Sequence, residues 1–277
     1  YIKKYINKSF FVSNKIYHSD IYIITVGTPL KKYKKTPDIK ILKKSIEEIS
    51  NKIKKNDLII LRSTVPIGTT RDLAIKLIEK NSKLKVGIDF KISFCPERTV
   101  EGNALKELEK VPQIIGGYDK NSFIDSKKLF LFNTKKIINA KSLEAAEMCK
   151  LIDNTYRDTV FAYSNQMAKL SEKLNLNLHD LIKIVNQDYK RNSIPRPSPG
   201  VGGPCLSKDP YILDNVFKKY NLKSSIIINS RKINESMIFH IYERCKKLLL
   251  IKGKKIIHSK ILISGISFKG IPPTTDI

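Results

Sequence analysis

Asp20-Ile-Tyr-Ile-Ile-Thr-Val-Gly27 and Asp57-Leu-Ile-Ile-Leu-Arg-Ser-Thr64 decide the fold. Both are compact apolar runs, rich in β-branched residues and without polar alternation. Strands of that kind are covered on both faces, as in a parallel sheet. Each ends in turn chemistry, Gly27-Thr28-Pro29 after the first and Ser63-Thr64-Val65-Pro66 at the end of the second. Helical spacing from Ile39 to Lys54 links them, and residues 70–82 are predicted as the next helix. Lys85 to Cys95 reads as a third strand and Val111 to Gly116 as a short fourth. Strands alternating with helices predict a parallel α/β sheet. In such sheets ligands bind beyond the carboxyl ends of the strands. The loops Gly27-Thr28-Pro29, Ser63-Thr64-Val65-Pro66 and Cys95-Pro96-Glu97-Arg98 all fall there.

After this the chain changes character. A long helix is predicted from about Ser142 to Leu174 and a shorter one from about Asp180 to Asn186. Ile194-Pro-Arg-Pro-Ser-Pro-Gly-Val-Gly-Gly-Pro-Cys205 is too rich in proline and glycine for regular structure. Helices follow from about Asp209 to Tyr220 and from Ser225 to Leu250. Lys260 to Gly270 reads as the first strand of a further α/β unit, so a third domain is expected to be cut short.

The totals narrow the function classes. With 277 residues, 41% of them hydrophobic, the chain can bury a sizeable core in roughly two domains. A net charge of +26 would suit a nucleic-acid binder. The charge, however, comes from 44 lysines spread along the whole chain against 8 arginines. Arginine is the preferred residue for bidentate phosphate and guanine contacts, and no zinc finger or RNA-binding aromatic signature appears. The four cysteines, at 95, 149, 205 and 245, are too far apart for a disulfide framework or a zinc site. No metal is expected, and the natural setting is a reducing cytoplasm. No apolar run approaches the ~18–20 residues that span a bilayer, so no membrane partner is expected. No G-x-G-x-x-G follows an early strand, and the first residue is Tyr1 rather than Met. The chain is therefore expected to begin after a pyrophosphate loop.

Val26-Gly-Thr-Pro29, Ser63-Thr-Val-Pro66, Pro96-Glu-Arg-Thr-Val-Glu-Gly102, Glu147-Met-Cys-Lys-Leu-Ile-Asp-Asn-Thr-Tyr-Arg-Asp158, Gly200-Val-Gly-Gly-Pro-Cys-Leu-Ser-Lys-Asp209 and Gly265-Ile-Ser-Phe-Lys269 cover nearly the whole chain. In this order they resemble the UDP-glucose/GDP-mannose dehydrogenase family. The resemblance implies an α/β fold. A truncated Rossmann-like NAD domain lacking its first βα unit would occupy residues 1–138. A central all-helical dimerisation domain carrying the cysteine loop would occupy 139–236, and the start of a second, UDP-binding Rossmann-like domain 237–277. The activity it implies is NAD-dependent, four-electron oxidation of the C6 alcohol of a UDP-sugar to the uronic acid. The partners implied are the UDP-sugar and a second copy of the chain, joined through the helical domain.

By the same resemblance, Cys205 is the nucleophile. Its thiolate adds to the aldehyde, and the thiohemiacetal gives up a hydride to become a thioester that water cleaves. Lys150 and Asn154 match residues that contact the reacting C6 oxygens, and Asp209 one near that lysine and a water. Four residues apart, Lys150 and Asn154 share a helix face. Glu97 matches an acid–base or water-activating group, and Glu101 one near substrate and nicotinamide. Thr28, Pro29, Ser63, Thr64, Val65, Glu101 and Lys208 fall on the cofactor side. Glu97, Arg98, Glu101, Lys150, Asn154, Gly200, Gly202, Phe268 and Lys269 fall on the substrate side. Arg191 and Arg196 are added because scarce arginine beside the cysteine loop suits a diphosphate. Taken alone, each has a plainer reading: Cys205 a thiol in a turn, Lys150 a solvated lysine, Asp209 a helix cap, Glu97 and Glu101 an acidic helix start.

The sugar is left between two types. Asn154-Thr-Tyr-Arg-Asp-Thr-Val-Phe-Ala-Tyr-Ser-Asn165 and Gly200-Val-Gly-Gly203 look like the UDP-N-acetylhexosamine type, acting on UDP-N-acetylmannosamine or -glucosamine. The Lys208-Asp209 pair looks like the UDP-glucose type, and Pro204 stands where the N-acetyl type has His. The balance leans to the N-acetyl sugar, with a product destined for surface polysaccharide. Two other readings stay open: a basic nucleic-acid-binding module, and a nucleotide-binding fragment without turnover.

Overall fold

The structure is a computed structural model and describes residues 5–6, 8–100 and 102–264. Glu101, Phe268 and Lys269 lie outside the described residues. The chain forms two compact units. The first gathers residues up to Thr28, Asp38–Arg98 and Leu108–Glu147; the second gathers Pro29–Pro37, Thr99–Glu107 and the chain from Met148 on.

The first unit is a five-stranded sheet in the order β1 (Ile21–Ile24), β2 (Leu58–Leu61), β3 (Lys91–Phe94), β4 (Gln113–Gly117), β5 (Ile137–Asn139). Strands β1, β2 and β3 run parallel, with Ile23 beside Ile60 and Ile60 beside Ser93. All four residues of β2 are buried, as its unbroken apolar run predicted. Helix α1 (Lys40–Ser50) packs on β1, and α4 (Lys120–Phe130) packs across β2, β3, β4 and β5. Leu58, Ile60, Cys95, Ile115 and Phe130 form one core cluster between them. Asp119 caps α4 by accepting from the Ser122 N–H.

The expected all-parallel sheet is corrected at β4, which pairs antiparallel to β3 through Ser93–Gly117 and Phe94–Gly116. A parallel return needs a crossover helix lying on the sheet. The helix in this connection, α3 (Ala104–Lys110), buries none of its residues. Without that cover the chain re-enters the sheet from the end at which it left. The third strand is also shorter than expected, because Lys85 to Phe90 close a local turn instead: both Asp89 and Phe90 donate to the Lys85 carbonyl. Gly116 lies directly under a helix start. A Cβ there would sit 2.1 Å from the Ser142 carbonyl oxygen and 2.7 Å from the Ala146 Cβ. Residues 70–82 divide into a π-helical stretch, Thr70–Ile75, and α2 (Lys76–Ser82).

Helix α5 (Leu143–Lys173) starts in the first unit and continues in the second. The second unit adds α6 (Leu178–Asn186), α7 (Asp209–Lys219) and α8 (Ser225–Ile251). Asn177 caps α6, and Pro210 occupies the first turn of α7, where its missing N–H costs nothing. Lys260 to Ser264 form no regular structure; the rest of the predicted last strand lies outside the described residues. Among the described residues, no helix is long and apolar enough to cross a membrane.

Candidate active site

In the second unit, the loop that ends at Cys205 feeds directly into α7. The Cys205 carbonyl accepts from the N–H groups of Lys208 and Asp209, at 3.2 and 3.0 Å, so the thiol residue forms the turn that starts the helix. Gly203, at φ +87°, permits the bend before it, and its carbonyl accepts from the Ser207 hydroxyl at 2.7 Å. Cys205 is an exposed free thiol. Asp209 is fully buried and doubly held. Asn154 of α5 donates its amide to one carboxylate oxygen at 2.5 Å. Lys208 sets its ammonium on the other, also at 2.5 Å. Both oxygens of this carboxylate are thus fixed, with the thiol one helical turn away in sequence. Lys150 stands one turn before Asn154 on α5. Lys208, expected on the cofactor side, spends its charge on Asp209. Arg191 is exposed, stacked toward the Tyr189 ring, and lines a shallow cleft with Tyr156, Tyr163 and Asn192. Arg196 is exposed as well.

In the first unit, the loops after β1 and β2 are laced together. The Thr28 hydroxyl donates to the Thr64 carbonyl at 2.5 Å, and the Ser63 hydroxyl to the Val26 carbonyl at 2.6 Å. Thr28, Ser63 and Val65 are buried, so what they offer a ligand is a rigid backbone at the carboxyl end of the sheet. A Cβ built on Gly27 meets nothing within 4 Å, so the loop beside Pro29 borders open space. That arrangement fits a dinucleotide laid across the strand ends. Glu97, in the loop after β3, accepts from the Arg62 guanidinium and from the Arg98 N–H at 2.8 Å. Arg62 also donates to Gln113 at 3.0 Å and lies 4.9 Å from the centre of the Phe130 ring. Glu97 is therefore aimed by an arginine that sequence reasoning passed over, although a scarce arginine at a strand end was the available signal.

Glu147 was also passed over. It is buried at the start of α5 and accepts from the Gly68 N–H, the Thr70 N–H and the Thr70 hydroxyl, at 2.5, 2.8 and 2.6 Å. It caps the π-helical stretch that Thr69 leaves uncapped. Burial pushes its pKa up to about 7. Arg71 pairs with Glu144 beside it and holds that carboxyl below its usual range. Cys95 is inert by comparison: burial pushes its thiol up to about 12.

The model of the UDP-glucose/GDP-mannose dehydrogenase family's NAD binding domain matches residues 2–132, and that of its central domain residues 144–236. This chain belongs to that family. Its curated relatives include the UDP-N-acetyl-D-mannosamine dehydrogenases of Methanocaldococcus jannaschii and Campylobacter jejuni. The first is 38% identical over 94% of this chain and 57% of that protein. The second is 34% identical over 91% of this chain and 61% of that protein. Among solved structures, the UDP-D-ManNAc dehydrogenase from Pyrococcus horikoshii matches with a TM-score of 0.76 at 32% identity. That match covers 85% of this chain and 54% of the other. The chain thus spans between half and two thirds of the length of these relatives.

Proposed function

We propose that the protein is an NAD-dependent nucleotide-sugar 6-dehydrogenase, and that its sugar is UDP-N-acetylmannosamine or a close N-acetylhexosamine. The observation that carries this reading is the arrangement at the start of α7. An exposed thiol is followed by a buried aspartate that Asn154 and Lys208 hold by both oxygens. The relatives' names favour the N-acetyl sugar over glucose, despite Pro204 and Lys208.

NAD, when bound, accepts the hydride in each of the two oxidations. Thr28, Pro29, Ser63, Thr64 and Val65 would hold it at the strand ends, with Glu101 beside it. The chain's own residues do the rest. Lys150 and Asn154 stabilise the C6 oxygen as it develops negative charge. The Cys205 thiolate adds to the aldehyde carbon, forming a C–S bond, and the oxygen takes up a proton. Loss of hydride from that carbon and of the proton from its oxygen leaves a thioester. Water, oriented by Asp209, attacks the thioester; the C–S bond breaks, the carboxylate leaves and the thiol is restored, and Glu97 is the proposed acid–base group of the first unit. Balanced, one alcohol, two NAD+ and one water give one carboxylate, two NADH and three protons. Arg98, Gly200, Gly202, Arg191, Arg196, Phe268 and Lys269 complete the proposed sugar and diphosphate contacts.

Pairing through the helical unit is part of the proposal. Met148, Ile152, Tyr156, Tyr163 and Leu170 of α5 are 44–66% exposed, an apolar stripe of the sort a second copy covers. The domain division we propose is 1–138, 139–236 and 237–277, in a cytoplasmic protein whose thiols stay reduced. The test is a panel of UDP-sugars with NAD+ on the protein expressed from its complete gene. NADH should form with UDP-N-acetylmannosamine first; no NADH from any nucleotide sugar would sink the reading.

A further inference from the structure

We infer that Arg231 is a positioning residue for the Cys205 thiol, keying the thiol loop to the α5 face that carries Lys150 and Asn154. The inference rests on the nucleophile role proposed for Cys205. Arg231 belongs to α8 and is 2% exposed. One guanidinium nitrogen donates to the Asp158 carboxylate at 2.8 Å and to the Leu206 carbonyl at 3.0 Å; the other donates to the Val201 carbonyl at 2.8 Å. Those carbonyls lie on either side of Cys205. A single planar group therefore pins both flanks of the thiol residue.

Its anchor is the reacting helix itself. Asp158 follows Asn154 by one turn and Lys150 by two. Asn234 donates to the Asp158 carboxylate at 2.8 Å and to its backbone carbonyl at 2.9 Å. The Asn234 side-chain oxygen accepts from Asn165, which in turn accepts from the Ser198 N–H at 2.8 Å. The loop is thus tied to α5 and α8 at Ser198, Val201 and Leu206. A buried charge pair seldom adds stability over apolar packing of the same volume. What this one supplies is place: a guanidinium fork reaches two carbonyls and a carboxylate at once, which an ammonium does not.

The test is Arg231→Lys, made in the protein expressed from its complete gene. It is paired with the double variant Asp158→Asn/Arg231→Gln, which removes the buried charges together should the single change fail to fold. Misplacing a reacting group by an ångström costs on the order of 100-fold in rate. We expect kcat for NADH formation to fall about 100-fold while KM for the nucleotide sugar stays within about threefold. In hydrogen exchange, the Ser198, Ser207 and Lys208 amides should exchange at least about tenfold faster, with the middle of α8 unchanged. A folded variant with wild-type kcat and wild-type loop exchange overturns the inference, as does a rise in KM at constant kcat. If the wild-type protein oxidises no nucleotide sugar, the proposed function fails, and the exchange data still decide whether Arg231 holds the loop.

Discussion

Glu147→Gln isolates a carboxylate that works as a remote helix cap. In the native protein both oxygens of Glu147 are engaged, one by the Gly68 N–H and the other by the Thr70 N–H and hydroxyl. Burial raises its pKa from 4.5 to about 7, against the pull of those donors. A carboxyl whose folded pKa lies above its unfolded one contributes stability that is complete below about pH 4.5 and is lost as pH rises through about 7. At about 1.4 kcal/mol per pKa unit, the loss between pH 5 and pH 8 is about 2–3 kcal/mol. Glutamine keeps an acceptor for Thr70 but turns an N–H toward the Gly68 N–H, which costs about 1–3 kcal/mol. Glutamine does not ionise, so it carries no such slope. Glu147→Gln should therefore be clearly destabilising at pH 5 and close to wild type at pH 8. Urea unfolding followed by far-ultraviolet circular dichroism at both pH values measures this. Equal destabilisation at the two pH values, within about 0.5 kcal/mol, would refute the reasoning.

Gly116→Ala should destabilise the first unit by about 1–3 kcal/mol, because the new methyl meets the Ser142 carbonyl oxygen and the helix start must move; thermal unfolding of the variant checks this. Alkylation of the native protein by iodoacetamide at pH 8 should label Cys205 and leave Cys95 unmodified, as one thiol is exposed and the other is buried and pushed up to about 12. Peptide mapping reads the difference, and early labelling of Cys95 would count against the packing of the core cluster.

The sheet and the helices were legible wherever one local signal sufficed. The apolar run of β2 and the helical stretches of α1, α5, α6, α7 and α8 each mark their element without help from distant residues, whereas α4 and β5, between Gly117 and Ser142, were not read from the sequence. The direction of β4 was not legible, because it depends on whether α3 packs on the sheet, and a short helix with scattered leucines does not say. Cys205 stood out through the family motif Gly200–Asp209 around it, its glycine-rich setting alone being weak. Glu147, Arg62 and Arg231 did not, since a charged residue in a helix or at a strand end normally faces water. Their burial is set by segments far along the chain: Gly68 and Thr70 for Glu147, Glu97 and Gln113 for Arg62, Val201 and Leu206 for Arg231. The laced hydroxyls of Thr28 and Ser63 show the same limit. The loops were visible as turns; that their hydroxyls bind each other's backbone was not.

That the Cys205 sulfur carries the sugar through the second oxidation is the step on which the proposed function depends. It is tested most directly by following both NADH and the uronic acid with wild-type protein and with Cys205→Ser, each expressed from the complete gene. The wild type should form two NADH per acid, and Cys205→Ser should lose acid formation by at least about 1,000-fold. Acid formed by Cys205→Ser at the wild-type rate would contradict it.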